Sequence, residues 1–133
     1  MKTFTIENPN TFYYVTSVTY NRVRIFRDER MCGILIAVFA EVRSLFPYKL
    51  ISYVIMPDHF HAVINPIDGD ISKWLLRVRG NSARTIIDQL ENDDDGHMLG
   101  RLTLESPQKR NHRYAVWQKD PSIVDLHSHK FLV

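Results

Sequence analysis

The sequence predicts an α+β fold of the ferredoxin-like βαββαβ type, an antiparallel sheet with its helices on one face. Three observations predict it: segments dense in β-branched and aromatic residues, two stretches whose apolar residues recur at intervals of three and four, and turn residues between them. With 133 residues, 44% hydrophobic and 24% charged, the chain has room for one domain, which we place at residues 1–133.

The pattern begins with a strand followed by a helix. Residues 12–20 read Phe-Tyr-Tyr-Val-Thr-Ser-Val-Thr-Tyr, a composition typical of strands. Asp28 is a suitable N-cap for a helix that runs to about Leu45, because its carboxylate can accept hydrogen bonds from the first backbone N–H groups. The apolar residues of this helix form one stripe, and Pro47 ends it.

Two strands joined by a tight turn come next. Residues 50–56 are almost continuously apolar, which is typical of a strand covered on both faces. Pro57 and Asp58 make the turn, a role that also accounts for Asp58 as a residue type. Residues 59–65 form the third strand, antiparallel to the second.

The second helix and the last strand complete the pattern. Asp70 or Ser72 can cap a helix that carries Trp74 and continues to about residue 90. Residues 91–111 are polar, with glycine and proline, and indicate a flexible connection. Residues 113–118 are the fourth strand or a stub of it.

Composition excludes several classes of protein. The single cysteine, Cys32, excludes an internal disulfide and a multi-cysteine zinc site. The N-terminus does not read as a signal peptide, and the longest apolar run, residues 33–40, is too short to cross a bilayer. We therefore expect a cytoplasmic protein without a membrane partner. The net charge of +2 does not by itself argue for nucleic acid.

The third strand carries the most specific motif, His59-Phe60-His61. Side chains alternate along a strand, so both imidazoles lie on one face while Phe60 points into the core. Two neighbouring imidazoles form half of a site for a divalent cation. Two ligands do not complete a site, however, and His-x-His also occurs by chance, so spacing alone leaves a metal role and a structural role equally open.

The histidines directly follow Tyr-Val-Ile-Met-Pro at residues 53–57. In this setting the strand resembles that of the small single-tyrosine transposases, including the REP-associated tyrosine transposases, of the His-hydrophobe-His endonuclease superfamily. Four further segments resemble parts of this family. The first strand with its basic turn is similar to residues 16–22, and the entry to the first helix to residues 26–30. The DNA-facing second helix is similar to residues 72–82, and the Trp-Gln strand end to residues 116–118.

The resemblance implies a chemistry for the histidines. His59 and His61 would bind Mg²⁺ or Mn²⁺ with a third polar ligand, and a tyrosine would cleave single-stranded DNA through a 5′-phosphotyrosine intermediate. The partners it implies are single-stranded or hairpin DNA and a second copy of the chain in a homodimer. The residues expected to contact DNA are Arg22, Lys73, Arg77, Arg79 and Arg84; a solvated helix face is the alternative for the last four. Tyr20 and Trp74 are candidates to stack on bases, although core packing is favoured for both.

The nucleophile of the family is a tyrosine on a helix that follows the Trp-Gln strand. No tyrosine occurs here after Tyr114, so we expect the chain to lack this helix, with the nucleophile and third ligand beyond Val133. The tyrosines present are poor substitutes, since four are expected on core strands: Tyr13, Tyr14, Tyr20 and Tyr53. A second His-x-His pair, His127 and His129, is expected to be a solvated terminus.

Three functional hypotheses remain. The first is a metal-dependent transposase-type protein for single-strand cleavage and strand transfer, without its nucleophile in this chain. The second is a non-catalytic nucleic-acid-binding module derived from such a transposase. The third is a structural metal-binding or dimerisation domain with no nucleic-acid role.

Overall fold

The computed structural model of the protein describes residues 11–105 and 113–126. In chain order, its strands and helices are β1 (Tyr13–Val18), α1 (Glu29–Leu45), β2 (Tyr48–Met56), β3 (His59–Pro66), α2 (Ile71–Asn92), α3 (Gly96–Arg101) and β4 (Ser122–Asp125). Two short 3₁₀ turns, Tyr20–Arg22 and Ile25–Arg27, lead from β1 into α1.

The strands form one antiparallel sheet with the order β2-β3-β1-β4. This order confirms the predicted ferredoxin-like fold class. The histidine strand, β3, lies in the interior of the sheet between β2 and β1, and its register places His61 opposite Thr16 and His59 opposite Val18. Because β3 is hydrogen-bonded on both sides, its backbone gives its side chains fixed directions.

The core lies on one face of this sheet. Phe60, Ala62 and Ile64 of β3 are at most 1% exposed and point toward the helices. Phe39 of α1 contacts Phe60, with ring centroids 5.6 Å apart, and stacks on Trp74 of α2 at 5.7 Å. Trp74 is 0% exposed, so it packs in the core and does not stack on bases.

Carboxylates cap both long helices. The Asp28 side chain accepts a hydrogen bond from the Arg30 backbone N–H, which confirms the predicted cap, and Asp70 accepts from the backbone of Lys73. The Arg30 guanidinium also binds the carboxylates of Asp28 and Asp93, each at 2.9 Å, and so ties the start of α1 to the end of α2. These contacts lower the pKa of both carboxyl groups.

The last strand lies later in the chain than predicted. Residues 113–118 form isolated bridges, one of them between Trp117 and Thr19, and the strand at the sheet edge is β4 instead. The Trp117 indole is buried and donates to the Ser82 Oγ at 3.0 Å. The backbone of this segment pairs partly with the end of β1 and partly with the chain after α3, and therefore cannot continue as one strand of the sheet.

The polar segment after α2 is also more ordered than predicted. It contains α3, whose first turn is capped by the Asp95 carboxylate, the acceptor of a 3.0 Å hydrogen bond from the Met98 backbone. Leu102, directly after α3, is 0% exposed and belongs to the core. A flexible connection is thus the wrong interpretation up to residue 105; residues 106–111 lie outside the described part of the chain.

β2 is an edge strand, and the prediction that both its faces are covered is wrong. Ile51, Val54 and Met56 are 54%, 52% and 41% exposed. The helices cover only one face of the sheet, and no strand of the described chain pairs with the outer edge of β2. The apolar composition of β2 thus leaves exposed apolar side chains on this edge strand, and the register places Val54 opposite His61 and Met56 opposite His59.

Candidate metal centre

His59 and His61 project from the face of β3 that the helices leave uncovered, hereafter the outer face. Both are partly buried, and their ring centroids are 4.8 Å apart with the ring planes at 75°. Phe60 between them is 0% exposed on the opposite face. The alternation predicted from the sequence is therefore confirmed, and the two imidazoles are neighbours on a rigid strand.

His59 is held by the residue before it. Its Nδ1 lies 2.7 Å from the Asp58 Oδ1, and the Arg22 Nη1 lies 2.9 Å from the other oxygen, Oδ2. The hydrogen bond from His59, and then the Arg22 guanidinium, lower the pKa of the Asp58 carboxyl. An ionised carboxylate can only accept, so the His59 Nδ1 donates and its Nε2 retains a lone pair for an ion.

His61 is held by two residues of β1. Its Nδ1 lies 2.9 Å from the Thr16 Oγ1 and 3.1 Å from the Tyr14 hydroxyl. The Tyr14 ring stacks on the imidazole, with centroids 5.4 Å apart and planes at 13°. Burial, and then the proximity of His59, lower the pKa of His61 and favour the neutral imidazole that a metal ion requires.

These residues fit half of a metal site. Each Nδ1 has a protein partner. The carboxylate leaves the Nε2 of His59 as a donor to an ion, and the hydroxyls next to His61 can accept from its Nδ1, which is compatible with the same role for its Nε2. Within residues 11–105 and 113–126, no group of three or more His, Cys, Asp or Glu side chains is placed to hold an ion. Mg²⁺ prefers oxygen ligands, so the two imidazole nitrogens would supply only part of its coordination.

Of the basic residues predicted to contact DNA, Arg22 is the one that adjoins this centre, through Asp58. The other four lie on α2, and the sheet separates that helix from the outer face. Lys73 pairs with Asp68 at 2.6 Å. Arg79 donates to the backbone carbonyls of residues 118 and 119, and burial lowers its pKa. Arg77 and Arg84 are exposed.

Sequence reasoning missed three residues of the site. The turn alone explains Asp58 in the sequence, although both its carboxylate oxygens bind side chains. The sequence predicts Tyr14 on a core strand, but this residue is 37% exposed and lies on the outer face. Thr16 carries no local signal; only the register of β1 against β3 places it opposite His61.

The pair His127 and His129 lies outside the described residues.

Within the described part of the chain, none of the helices is both long and apolar enough to span a membrane.

Comparisons with known proteins identify a family and a shared fold. Residues 9–101 match the family model described as "Transposase IS200 like". A search of curated proteins found no significant match. A solved structure from Deinococcus radiodurans R1, classed as a transposase, superposes with a TM-score of 0.63 at 18% identity, covering 90% of this chain and 81% of that one.

A REP-associated tyrosine transposase bound to a REP hairpin is also similar, with a TM-score of 0.58 and 14% identity. The match covers 92% of this chain and 59% of that one, so this chain spans less than two thirds of its length. At these identities the two likenesses show a shared fold.

Proposed function

The chain belongs to the IS200-like transposase family, and from that premise we propose that His59 and His61 form part of a metal centre for DNA cleavage. One observation carries the proposal: two adjacent imidazoles on an inner strand each have Nδ1 held by a protein partner. The carboxylate on His59 leaves its Nε2 available to an ion, and the Nε2 of His61 would be available as well when a hydroxyl accepts from its Nδ1.

The residues of the centre act mainly by fixing positions. His59 and His61 would hold the ion, Mn²⁺ or Mg²⁺, which when bound supplies a positive charge that stabilises a phosphodiester under attack. Because β3 is paired on both sides, the imidazoles are oriented before the ion arrives, which reduces the ordering cost of binding. The lowered pKa of His61 keeps this ligand neutral at neutral pH.

We propose two sets of DNA contacts on different faces of the protein. Arg22, with its side chain 65% exposed, would contact a phosphate next to the metal centre. Lys73, Arg77 and Arg84 on α2 would hold a flanking part of the DNA, such as the stem of a hairpin like the one bound by the REP-associated relative. Arg79 is not included, because its guanidinium already donates to backbone carbonyls.

The reaction we propose is single-strand cleavage, in which a tyrosine oxygen bonds to phosphorus as the 3′-oxygen leaves with a proton. Among the tyrosines of the described strands, Tyr14 is the one on the outer face. Its hydroxyl contacts the His61 Nδ1, so we assign Tyr14 to orienting His61. The attacking tyrosine is therefore expected to be another than these strand tyrosines.

We also propose a homodimer through the edge strand β2. Ile51, Val54 and Met56 are exposed there, and a strand edge offers unpaired backbone groups to a second sheet. Light scattering after size exclusion tests the dimer: the wild type should elute as two copies, and Val54→Lys should shift the equilibrium to one. A monomeric wild type would contradict it.

The central experiment measures binding of a fluorescent hairpin with a single-stranded flank, by anisotropy, in Mn²⁺ and in EDTA. We expect tighter binding in Mn²⁺, and loss of the difference when His59 and His61 are both changed to alanine. Val63→Ala, which alters the same face of β3 without removing an imidazole, is the matched control.

Two outcomes would contradict the proposal. Equal binding in Mn²⁺ and EDTA, unaffected by the histidine substitutions, would favour a non-catalytic nucleic-acid-binding module. A denaturant-stable protein–DNA adduct that forms in the wild type and disappears in Tyr14→Phe would make Tyr14 the nucleophile, against our assignment of its role.

A further inference from the structure

We propose that Asp58 is a positioning residue of the metal centre, whose carboxylate holds His59 as the Nδ1–H tautomer and presents Nε2 to the ion. The inference rests on the proposed function in one respect, the role of His59 as a ligand. It assigns to Asp58 a task beyond closing the turn between β2 and β3.

The contact between Asp58 and His59 has only one possible direction. The Oδ1–Nδ1 distance is 2.7 Å, and a carboxylate has no proton to give, so the proton must lie on Nδ1. His61 differs, because the hydroxyls of Thr16 and Tyr14 can each donate as well as accept. The tautomer of His59 is thus set by the chemistry of its partner.

Asp58 is itself held in place by three contacts. Its backbone carbonyl accepts hydrogen bonds from the Thr19 N–H at 2.9 Å and from the Thr19 hydroxyl at 3.1 Å. Its second carboxylate oxygen binds Arg22 at 2.9 Å. Arg22 has a φ of 53°, in the left-handed region that residues other than glycine rarely adopt. This unusual backbone lies at the residue that holds the carboxylate.

A turn role alone does not explain these contacts. An aspartate that only closes a turn uses its carboxylate to accept from nearby backbone N–H groups. Here the hydrogen bonds of both carboxylate oxygens, within the described residues, come from side chains: Arg22 on Oδ2 and His59 on Oδ1. The carboxylate is thus committed to the histidine that the proposed function makes a ligand.

The test compares Asp58→Asn with Asp58→Ala. The asparagine can still accept from Nδ1 through its amide oxygen, whereas the alanine cannot. Long-range ¹H–¹⁵N spectra of the metal-free protein at pH 8, with the signal assigned by His59→Ala, report the tautomer directly. We expect the Nδ1–H form of His59 in the wild type and in Asp58→Asn, and its loss in Asp58→Ala.

Mn²⁺ binding, measured by electron paramagnetic resonance of the free ion, is the second readout. Loss of a partner that orients a metal-binding histidine weakens binding by about 10–100-fold, so we expect that loss in Asp58→Ala and a smaller one in Asp58→Asn. Asp68→Ala is the matched control, because Asp68 pairs with Lys73 in the loop after β3. Urea unfolding without metal checks that each variant folds.

Each result either supports or contradicts the proposed role of Asp58. The expected tautomer change together with weaker Mn²⁺ binding supports the role of Asp58. An Nε2–H tautomer in the wild type, or an Asp58→Ala variant that binds Mn²⁺ as tightly as the wild type, overturns that role and leaves the proposed function standing. Failure of the wild type to bind Mn²⁺ overturns both.

Discussion

The two faces of β3 differ in what they contribute to the molecule. Toward the helices, Phe60, Ala62 and Ile64 are at most 1% exposed and complete the core. On the outer face, His59 and His61 are partly buried and bind polar partners on the turn and on β1. One strand therefore carries stability and the proposed chemistry on alternate residues.

This alternation makes the two properties separable by mutation. The inward side chains act through buried area and packing, which are insensitive to metal ions. The outward ones act through hydrogen bonds and lone pairs, at positions where little apolar surface is lost on substitution. A change on one face should therefore leave the property of the other face nearly intact, and the variants below test this from the largest effect to the smallest.

The largest effect is expected on the inward face. Phe60→Ala should lower the free energy of unfolding by about 3–5 kcal/mol, because it removes a fully buried ring that packs against Phe39 and Trp117. Urea denaturation measures the loss. Phe60→Leu, which retains most of the packing, should cost less than half as much; equal losses would mean that packing at this position is loose.

The second effect belongs to the outward face. His61→Ala should weaken Mn²⁺ binding by at least about a hundredfold, since a lost ligand costs more than a lost orienting partner. The free energy of unfolding in EDTA should change by less than about 1 kcal/mol. Calorimetric titration with Mn²⁺ tests this against Val63→Ala, which should bind normally. A large loss in the free energy of unfolding with unchanged Mn²⁺ affinity would contradict the separation between the two faces of β3.

A smaller effect is expected when both hydroxyl partners of His61 are removed. The double variant Thr16→Val/Tyr14→Phe keeps the shapes of the side chains and removes the two contacts with Nδ1. Mn²⁺ affinity should fall about tenfold, the lower end of the range for orienting partners. Each single variant should bind more tightly than the double, because one hydroxyl remains. Unchanged affinity in the double variant would show that the ring needs no partner.

The smallest effect concerns acid stability on the helix side. Asp28 and Asp93 have pKa values lowered from the ordinary 3.8, mainly by the Arg30 guanidinium. The folded state therefore favours the carboxylates, and the stabilisation is present above pH 3.8 and is lost as the pH falls through the lowered values. Arg30→Gln should be slightly less stable than the wild type at pH 7, and the two should converge toward pH 2.

Urea midpoints across this pH range provide the measurement. Arg43→Gln is the control, because Arg43 lies over the Tyr48 ring at 4.8 Å and its loss should give an offset that does not depend on pH. A gap between the wild type and Arg30→Gln that persists at pH 2 would mean that the carboxylates are not its origin.

Local signals predicted much of the fold and half of the site. The cap at Asp28 and the alternation around Phe60 depend on adjacent residues, so they can be read from the sequence. The position of β4 could not, because Val116 and Trp117 have a strand-like composition but their backbone is divided between two partners. The β-branched and aromatic residues of this segment therefore indicate that it is buried, and they do not indicate how its backbone pairs.

The other residues of the site could not be predicted, because the position of Thr16 depends on strand register and because Asp58 has two possible roles. Thr16 reaches His61 across 45 residues of sequence, a separation over which no local pattern acts. Asp58 is next to His59, but aspartate is common in turns, so its sequence position does not reveal that it also holds His59. Only the direction of its carboxylate, toward a side chain, distinguishes the two.

The strand order also has a consequence for the sequence of events during folding. Asp58 and His59 are adjacent in the chain and lie in the hairpin of β2 and β3, a local structure that closes quickly. The partners of His61 come from β1, which can pair with β3 only after a long loop has closed. Half of the proposed centre is therefore expected to form early and half late. Tight Mn²⁺ binding, followed by stopped flow during refolding, should then appear only in molecules whose sheet is complete.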